Sequence, residues 1–503
     1  MKKILSFFYL LSLPASAMAQ NIPKMLNSYL AEAMRHNEIN GNVLIAEQGR
    51  TLFKKSYGYR DIAGKIPLTD SSLFPLASVS KTFTAVAVLQ LMEKGKLKLD
   101  DAYAKYFPGF LYPTITIRQL LSHTSDLPDI GGVTDSLVAA HPEKIFTNAD
   151  DLTALQIYGK THHPVFTPGD HWSYSSTGYQ LLALLVEKLS REPFAGYLKK
   201  HIFIPAGMAG TYLQTSLAQT TGKNRTLNYI YNNNYQMKLQ WVDTIAEKRE
   251  WTYNLTGNYG AGGLISTTGD LLKYDEALYA GKLLKPSTMD EAFTPVKLNN
   301  GQPNKAVEGT SYGLGWFIFN DTSNGKIVWH SGSAPGVVTL FVRNITKHQT
   351  FIALFNVAIS NPVYYDMLDI INNKNIIYKQ PLGYIYGQEA YKHGADYALA
   401  HFNVLKSDTA HYILREKDLE RIALEFSRDY WHTQNLALET YKLMTTLYPG
   451  DEHVYVLYAD LLLNGRVKDR DAAMTFYRKA LELNPADEKV RKKLEQPDNK
   501  TKR

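Results

Sequence analysis

Near the N-terminus, Ile22, Met25, Leu26, Tyr29, Leu30 and Met34 recur at helical spacing and predict a helix over residues 22–36. The period then drops to that of a strand. The runs beginning at Asn42 and Thr51 are β-rich and flank Gln48, Gly49 and Arg50, which predicts a hairpin. From residue 79 to about 94, Phe83, Val86, Val88, Leu89, Leu91 and Met92 occupy more than one side of the expected helix, the pattern of a helix buried between other elements. Further helices are expected at 117–121, 178–189 and 268–278. Extended runs at 311–319, 326–330, 337–342 and 350–356, separated by turn residues, read as an antiparallel meander. Helix at both ends, late strands and a largely helical middle define an α+β domain.

Beyond Pro381, Gly383 and Gly387 strand signals almost vanish, and a helix is expected over 386–401. Residues 435–449 and 471–485 then align at an offset of 36, pairing Ala437 with Ala473, Tyr441 with Tyr477, Leu447 with Leu483 and Pro449 with Pro485. This is similar to the second helix of tetratricopeptide repeats, in which a small residue lets helices approach and a proline ends the helix. Simple helical hairpins without repeat ancestry are the alternative. Two units are few for a free-standing array, so these helices are expected to pack on one another and on the 386–401 helix. Whether they bind a protein partner or only pack on the main domain is open from sequence. The expected layout is a leader over 1–19, an α+β domain over 20–380 and an all-α helical-repeat domain over 386–497.

The leader is read from Lys2 and Lys3, the apolar run from Ile4 to Leu13, and the small-residue site Ala17-Met18-Ala19 before Gln20. That run is much shorter than a membrane span of about 20 residues. It implies secretion across the bacterial inner membrane, to the periplasm. The sequons at Asn224, Asn254, Asn320 and Asn344 would matter only in a eukaryotic secretory route. A formal charge of +7 over 503 residues, two lower without the leader lysines, is no argument for nucleic acid. With no cysteine, disulfides, thiolate catalysis and cysteine-bound metal are excluded.

Candidate chemistry begins at Ser78-Val79-Ser80-Lys81, at the mouth of the expected buried helix. Residues three apart share a helix face, so Lys81 points back toward the Ser78 hydroxyl. A lysine held in an apolar pocket has its neutral form favoured, which permits proton transfer. Two more clusters stand where such chemistry would want them. Tyr174-Ser175-Ser176 precedes an apolar helix, and His330-Ser331-Gly332 ends an extended run before Ser333. A glycine at a strand edge lets a substrate backbone approach. Taken singly, Tyr174 reads as a core aromatic and His330 as a strand end. His162 and His163 are adjacent and do not converge as zinc-binding histidines one helical turn apart do, so neither a metal nor a cofactor is called for.

In this order, the three clusters resemble the S-x-x-K, Y-x-N and K-T-G (or H-x-G) elements of serine hydrolases of the class C beta-lactamase and DD-peptidase (penicillin-binding protein-like) family. The stretches at 120–127, 260–270 and 312–316 are similar to it as well, and the resemblance covers about residues 21–378. It implies a beta-lactamase/transpeptidase-like fold, an antiparallel sheet flanked by helices beside a mostly helical region. It also implies a nucleophile at Ser78 with Lys81 and Tyr174 handling its proton, and an oxyanion hole from the backbone N–H groups of Ser78 and Ser333. Ser176, His330, Ser331 and Gly332 would bind substrate. Two positions depart from the pattern. Ser176 stands for asparagine, which removes a carboxamide, and His330 stands for lysine, which removes a fixed charge unless the imidazole is protonated or an arginine elsewhere substitutes.

The expectation is therefore an exported serine hydrolase that cleaves a peptide, amide or ester through an acyl-enzyme, D-alanyl-D-alanine carboxypeptidase-like. The alternatives are an esterase or beta-lactamase of the same family, and a non-catalytic scaffold that uses the C-terminal helices. The partner is a small-molecule or peptide substrate of cell-wall type. Loops over 131–160 and 220–251 shape the pocket but contain no assignable ligand code.

Overall fold

The computed structural model describes residues 21–495 except 130, 162–165, 216–221, 249–255, 308, 358–360, 373 and 429–431. The leader over 1–19, His162, His163 and the sequon at Asn254 lie outside the described residues. Two compact units divide the chain. One runs to Ile230 and resumes from Gln240 to Ile376; the other takes Tyr231–Leu239 and continues from Ile377.

The first unit is built on a seven-stranded antiparallel sheet. Its strands are β1 (Gly41–Glu47), β2 (Arg50–Tyr57), β3 (Thr310–Tyr312), β4 (Phe317–Phe319), β5 (Ile327–Ala334), β6 (Val337–Asn344) and β7 (Gln349–Phe355), in the order β3-β4-β5-β6-β7-β1-β2. The N-terminal hairpin closes onto the last strand, with Gly41 opposite Phe355 and Glu47 opposite Gln349. β6 is buried along nearly its whole length, as its continuous Val-Val-Thr-Leu-Phe-Val run requires. The outer strand β2 is mostly exposed and bears Lys54 and Lys55, charges that discourage edge-to-edge pairing. The run at 311–319, expected as one extended segment, is two strands. Gly315 at φ +90° turns the chain between them, where a side chain would meet Ala85 Cβ at 2.5 Å.

Helices cover the sheet. α1 (Asn21–Arg35) and α5 (Asn361–Ile371) pack together from the two ends of the unit, and Tyr29 donates to Asp366 at 2.7 Å. α2 (Ser80–Glu93) lies at the centre with every residue from Ser80 to Leu91 buried, as its all-round apolar pattern predicts. It packs against α3 (Ser176–Ser190), and its Phe83 stacks on Tyr274 of α4 (Thr268–Tyr279) with centroids 4.0 Å apart.

In the second unit, the helix expected over 386–401 is two helices, α6 (Leu382–His393) and α7 (Ala395–Leu405), broken at Gly394 with φ +90°. α8 (Glu416–Arg428), α9 (Gln434–Leu447), α10 (Glu452–Asn464), α11 (Arg470–Leu483) and α12 (Glu488–Glu495) follow. The repeated positions fall at matching places: Ala437 and Tyr441 in α9, Ala473 and Tyr477 in α11, all essentially without exposure. Residues 231–239 fold with these helices. Asn234 N donates to Glu425 at 2.7 Å, and Tyr235 is buried with its ring 4.6 Å from that of Phe426.

One ion pair is sealed inside the first unit. Arg343 of β6 binds Asp275 of α4, both with almost no exposure, and its guanidinium lies 4.6 Å from the Tyr279 ring centroid and 5.6 Å from that of Trp316. Thr350 donates to the same carboxylate. Removing one partner of such a pair strands the other charge, so Arg343→Met is expected to lower unfolding free energy by about 3–5 kcal/mol in a urea titration.

Candidate active site

Ser78 lies in a short 3-10 turn, Ala77–Val79, that feeds α2. The turn is held from both sides: Leu76 N donates to Leu264 O at 2.8 Å, and Thr339 Oγ1 of β6 donates to Leu76 O at 2.9 Å. Ala77 sits at φ +45°, a left-handed conformation that costs a non-glycine residue energy, directly before Ser78. Lys81 is completely buried one turn into α2. Its Nζ donates to Ser78 Oγ at 3.1 Å, to Ala261 O at 3.0 Å and to Ser176 Oγ at 3.4 Å. An ammonium has three donors, and three oxygens receive them. The same Nζ stands 4.9 Å from the Tyr174 ring centroid and 5.7 Å from that of Tyr179.

The Tyr174-Ser175-Ser176 segment enters α3, with Ser175 as N-cap. His123 fixes it: Nδ1 accepts from Ser175 N at 3.1 Å, the His123 carbonyl accepts from Ser173 N at 2.8 Å, and the ring lies 4.2 Å from that of Tyr174. His123 itself takes φ +57°. Burial, and then the Lys81 charge, hold its imidazole well below the usual histidine range, so it accepts at Nδ1 as a neutral ring.

β5 supplies the opposite wall. β4 pairs with Trp329 and Val328 and stops there, so the strand beyond has no partner on that side and meets the Ser78 turn instead. Gly332 makes this approach possible. A Cβ there would collide with Leu76 O and Thr339 Oγ1 and stand 2.9 Å from Ser78 N. Ser333, next along, lines a cavity of about 320 Å³ together with Ser78 and Ser176.

His330 is not among the residues that line that cavity. It is 1% exposed, with Nε2 3.0 Å from Tyr312 OH and Nδ1 2.6 Å from Ser331 O. Burial, reinforced by the Lys81 charge, pushes its pKa down to about 3, so the imidazole is neutral and does not replace a lysine's charge beside a substrate. Cavity-lining residues that the motifs do not reveal include Arg225, Trp241 and Asn258. The first two come from the loop over 220–251, whose pocket-shaping role follows from its position but whose ligand chemistry does not. Asn258 donates at 2.7 Å to Asp151, a carboxyl that burial raises to about 7.

A buried helix mouth with a serine and lysine in hydrogen-bonding contact, facing the unpaired edge of an antiparallel sheet, defines a serine acyl-transfer site. A family model described as Beta-lactamase matches residues 26–372, and the chain belongs to that family. It is a serine hydrolase of the beta-lactamase and penicillin-binding-protein superfamily, active on amide or peptide bonds. The chain is 37% identical over 366 residues to "Penicillin-binding protein 4*" of Bacillus subtilis (strain 168), a match that covers 72% of this chain and 78% of the relative. Its fold is similar to that of the crystal structure of a penicillin binding protein from Bacillus halodurans (25% identity, TM-score 0.58, 69% of this chain and 98% of that one). The D-amino acid amidase from Ochrobactrum anthropi SV3 shares the fold at 21% identity (TM-score 0.57, 71% and 98%).

Gly332→Ala is expected to force β5 away from the Ser78 turn and cut kcat/KM by about 10²-fold or more, the scale of losing one backbone donor. His330 gives a prediction with a definite sign. Between pH 6.5 and about 3 the unfolded chain binds a proton that the buried ring refuses, so stability from this group is present above pH 6.5 and is lost as pH falls toward 3. Urea titrations at pH 7 and pH 5 should show a smaller acid loss for His330→Gln than for wild type, by about 1–2 kcal/mol.

Proposed function

We propose that the enzyme hydrolyses amide bonds of D-amino-acid-containing peptides through an acyl-enzyme on Ser78, with D-alanyl-D-alanine carboxypeptidase-like action. The observation that bears most weight is the contact of Lys81 Nζ with Ser78 Oγ at 3.1 Å at the floor of a cavity. Ser78 Oγ attacks the carbonyl carbon with Lys81 in its neutral amine form; the amine takes the serine proton, and Lys81 with Tyr174 passes it to the departing amine. The oxyanion lies between the backbone N–H groups of Ser78 and Ser333. Water then cleaves the ester and restores Ser78, so one hard hydrolysis becomes two easier steps.

A peptide or D-amino acid amide is preferred over a lactam, in line with the D-amino acid amidase of like fold. The same choice is favoured by a hydroxyl at Ser176 and a neutral ring at His330, where a lactam-type site of this family presents a carboxamide and a charge. The tripartite order of residues 1–19 supports export to the periplasm, and among the described residues no helix is long and apolar enough to cross a membrane. The repeated positions of α9 and α11 support a protein-binding role for the second unit.

A fluorophosphonate probe is expected to label Ser78, and Ser78→Ala to abolish both labelling and turnover of a D-alanyl-D-alanine peptide. Lys81→Met should lower kcat by about 10²–10⁴-fold, the span of a lost proton-transfer group. Unchanged labelling of the alanine variant would overturn the assignment.

A further inference from the structure

Among the described residues of the first unit, three cations are buried, and they are treated differently. Lys81 has three oxygen acceptors, and Arg343 has the Asp275 carboxylate. Arg225, 6% exposed, has neither. Its guanidinium donates to Gln214 Oε1 at 3.2 Å and to the Leu73 carbonyl at 3.4 Å, and its Nε has no acceptor. Among the described residues no carboxylate forms a close ion pair with it, and Asp243 acts on it only through space. A guanidinium has five N–H donors, so most of this one's capacity is unspent. Leaving a buried charge unpaired is costly, and such a group is retained where a ligand completes it.

Arg225 lines the same cavity as Ser78 and Ser333. The orientation of a substrate there follows from proton bookkeeping. The departing amine must receive its proton from the Lys81 and Tyr174 side, which the cavity meets at Ser176 and Ala261, both acceptors of Lys81 Nζ. The group that stays on Ser78 is then placed away from that side, toward Arg225, Trp241 and Val337, which also line the cavity.

We propose that Arg225 is a specificity-determining residue that binds a carboxylate on the acyl portion of the substrate, the part retained in the acyl-enzyme. This rests on the Ser78 acyl-enzyme reading and adds the substrate class. A planar fork held at one end by Gln214 suits a two-oxygen anion. Asp129 and Asp243 line the same cavity, so the site has no uniform positive field and the selectivity comes from direct contact with the fork. Burial lowers the Arg225 pKa to about 10, which still leaves it charged at neutral pH.

The test uses thiobenzyl esters of N-succinyl- and N-glutaryl-D-alanine, each against its terminal-amide counterpart, which keeps the shape and removes the charge. The chain has no cysteine, so released thiol is read directly with a disulfide reagent. Wild type should prefer the carboxylate member of at least one pair by about tenfold or more in kcat/KM, the scale of a hydrogen bond to a charged group. Arg225→Gln should bring that ratio to near one, and Arg225→Lys should keep part of it. A wild-type ratio near one overturns the proposal. So does an Arg225→Gln protein, folded by circular dichroism, in which both rates fall together and the ratio stands, because that is a structural role. If none of the esters is turned over and mass spectrometry finds no acyl group on Ser78, the acyl-enzyme reading fails first, and this inference with it.

Discussion

The missing side chain of Gly332 is the constraint on which the site depends. Without a Cβ, β5 comes close enough for its unpaired edge to face the turn that holds Ser78. Thr339 on the next strand ties that turn down through the Leu76 carbonyl, and Leu264 ties it from the other side. A left-handed Ala77 survives because its neighbours are over-determined in this way. Sheet register, strained turn and buried helix thus meet at one backbone nitrogen.

Around Lys81 the protein builds a neutral cage. His123 and His330 are both driven to their neutral forms, by burial first and by the lysine's own charge second. Burial raises the Tyr179 and Tyr312 hydroxyls above the usual phenol range, so they too remain uncharged. The single positive charge is met by oxygens of Ser78, Ser176 and Ala261, which are neutral acceptors that orient it without quenching it. A carboxylate in their place would hold the charge more tightly and lessen its effect on a developing oxyanion.

Much of this was legible in the chain because it is local. Ser78 and Lys81 are one helical turn apart, and the apolar surround of residues 79–94 announces burial. The alternating runs that become β5, β6 and β7 announce a meander. What the sequence hid is what depends on distant partners. The contacts of the His330 ring are set by Tyr312, 18 positions earlier, whose hydroxyl lies against Nε2. The break at Gly394 looks like any glycine in a helical pattern until its positive φ is known. Arg225 sits in a loop without periodicity, and its significance lies in being buried without a carboxylate in ion-pair contact among the described residues, a property no motif encodes. Nor does hydrophobic patterning foretell that residues 231–239, drawn from the middle of the first unit's sequence, fold with helices that begin some 140 positions later.

The two departures from the family pattern are then consequences of one arrangement. With a hydroxyl at Ser176, the first turn of α3 offers Lys81 an oxygen, and a carboxamide appears one turn further along at Gln180, which also lines the cavity. With a neutral, buried ring at His330, the strand side of the nucleophile loses the charge that would hold an anionic leaving group. Arg225, a buried cation without a carboxylate in ion-pair contact among the described residues, lines the same cavity. With the acyl group held there as proposed, such a site would discriminate by what stays bound to the serine more than by what departs, and this is what a hydrolase needs if its substrates share a leaving group and differ in the acyl chain.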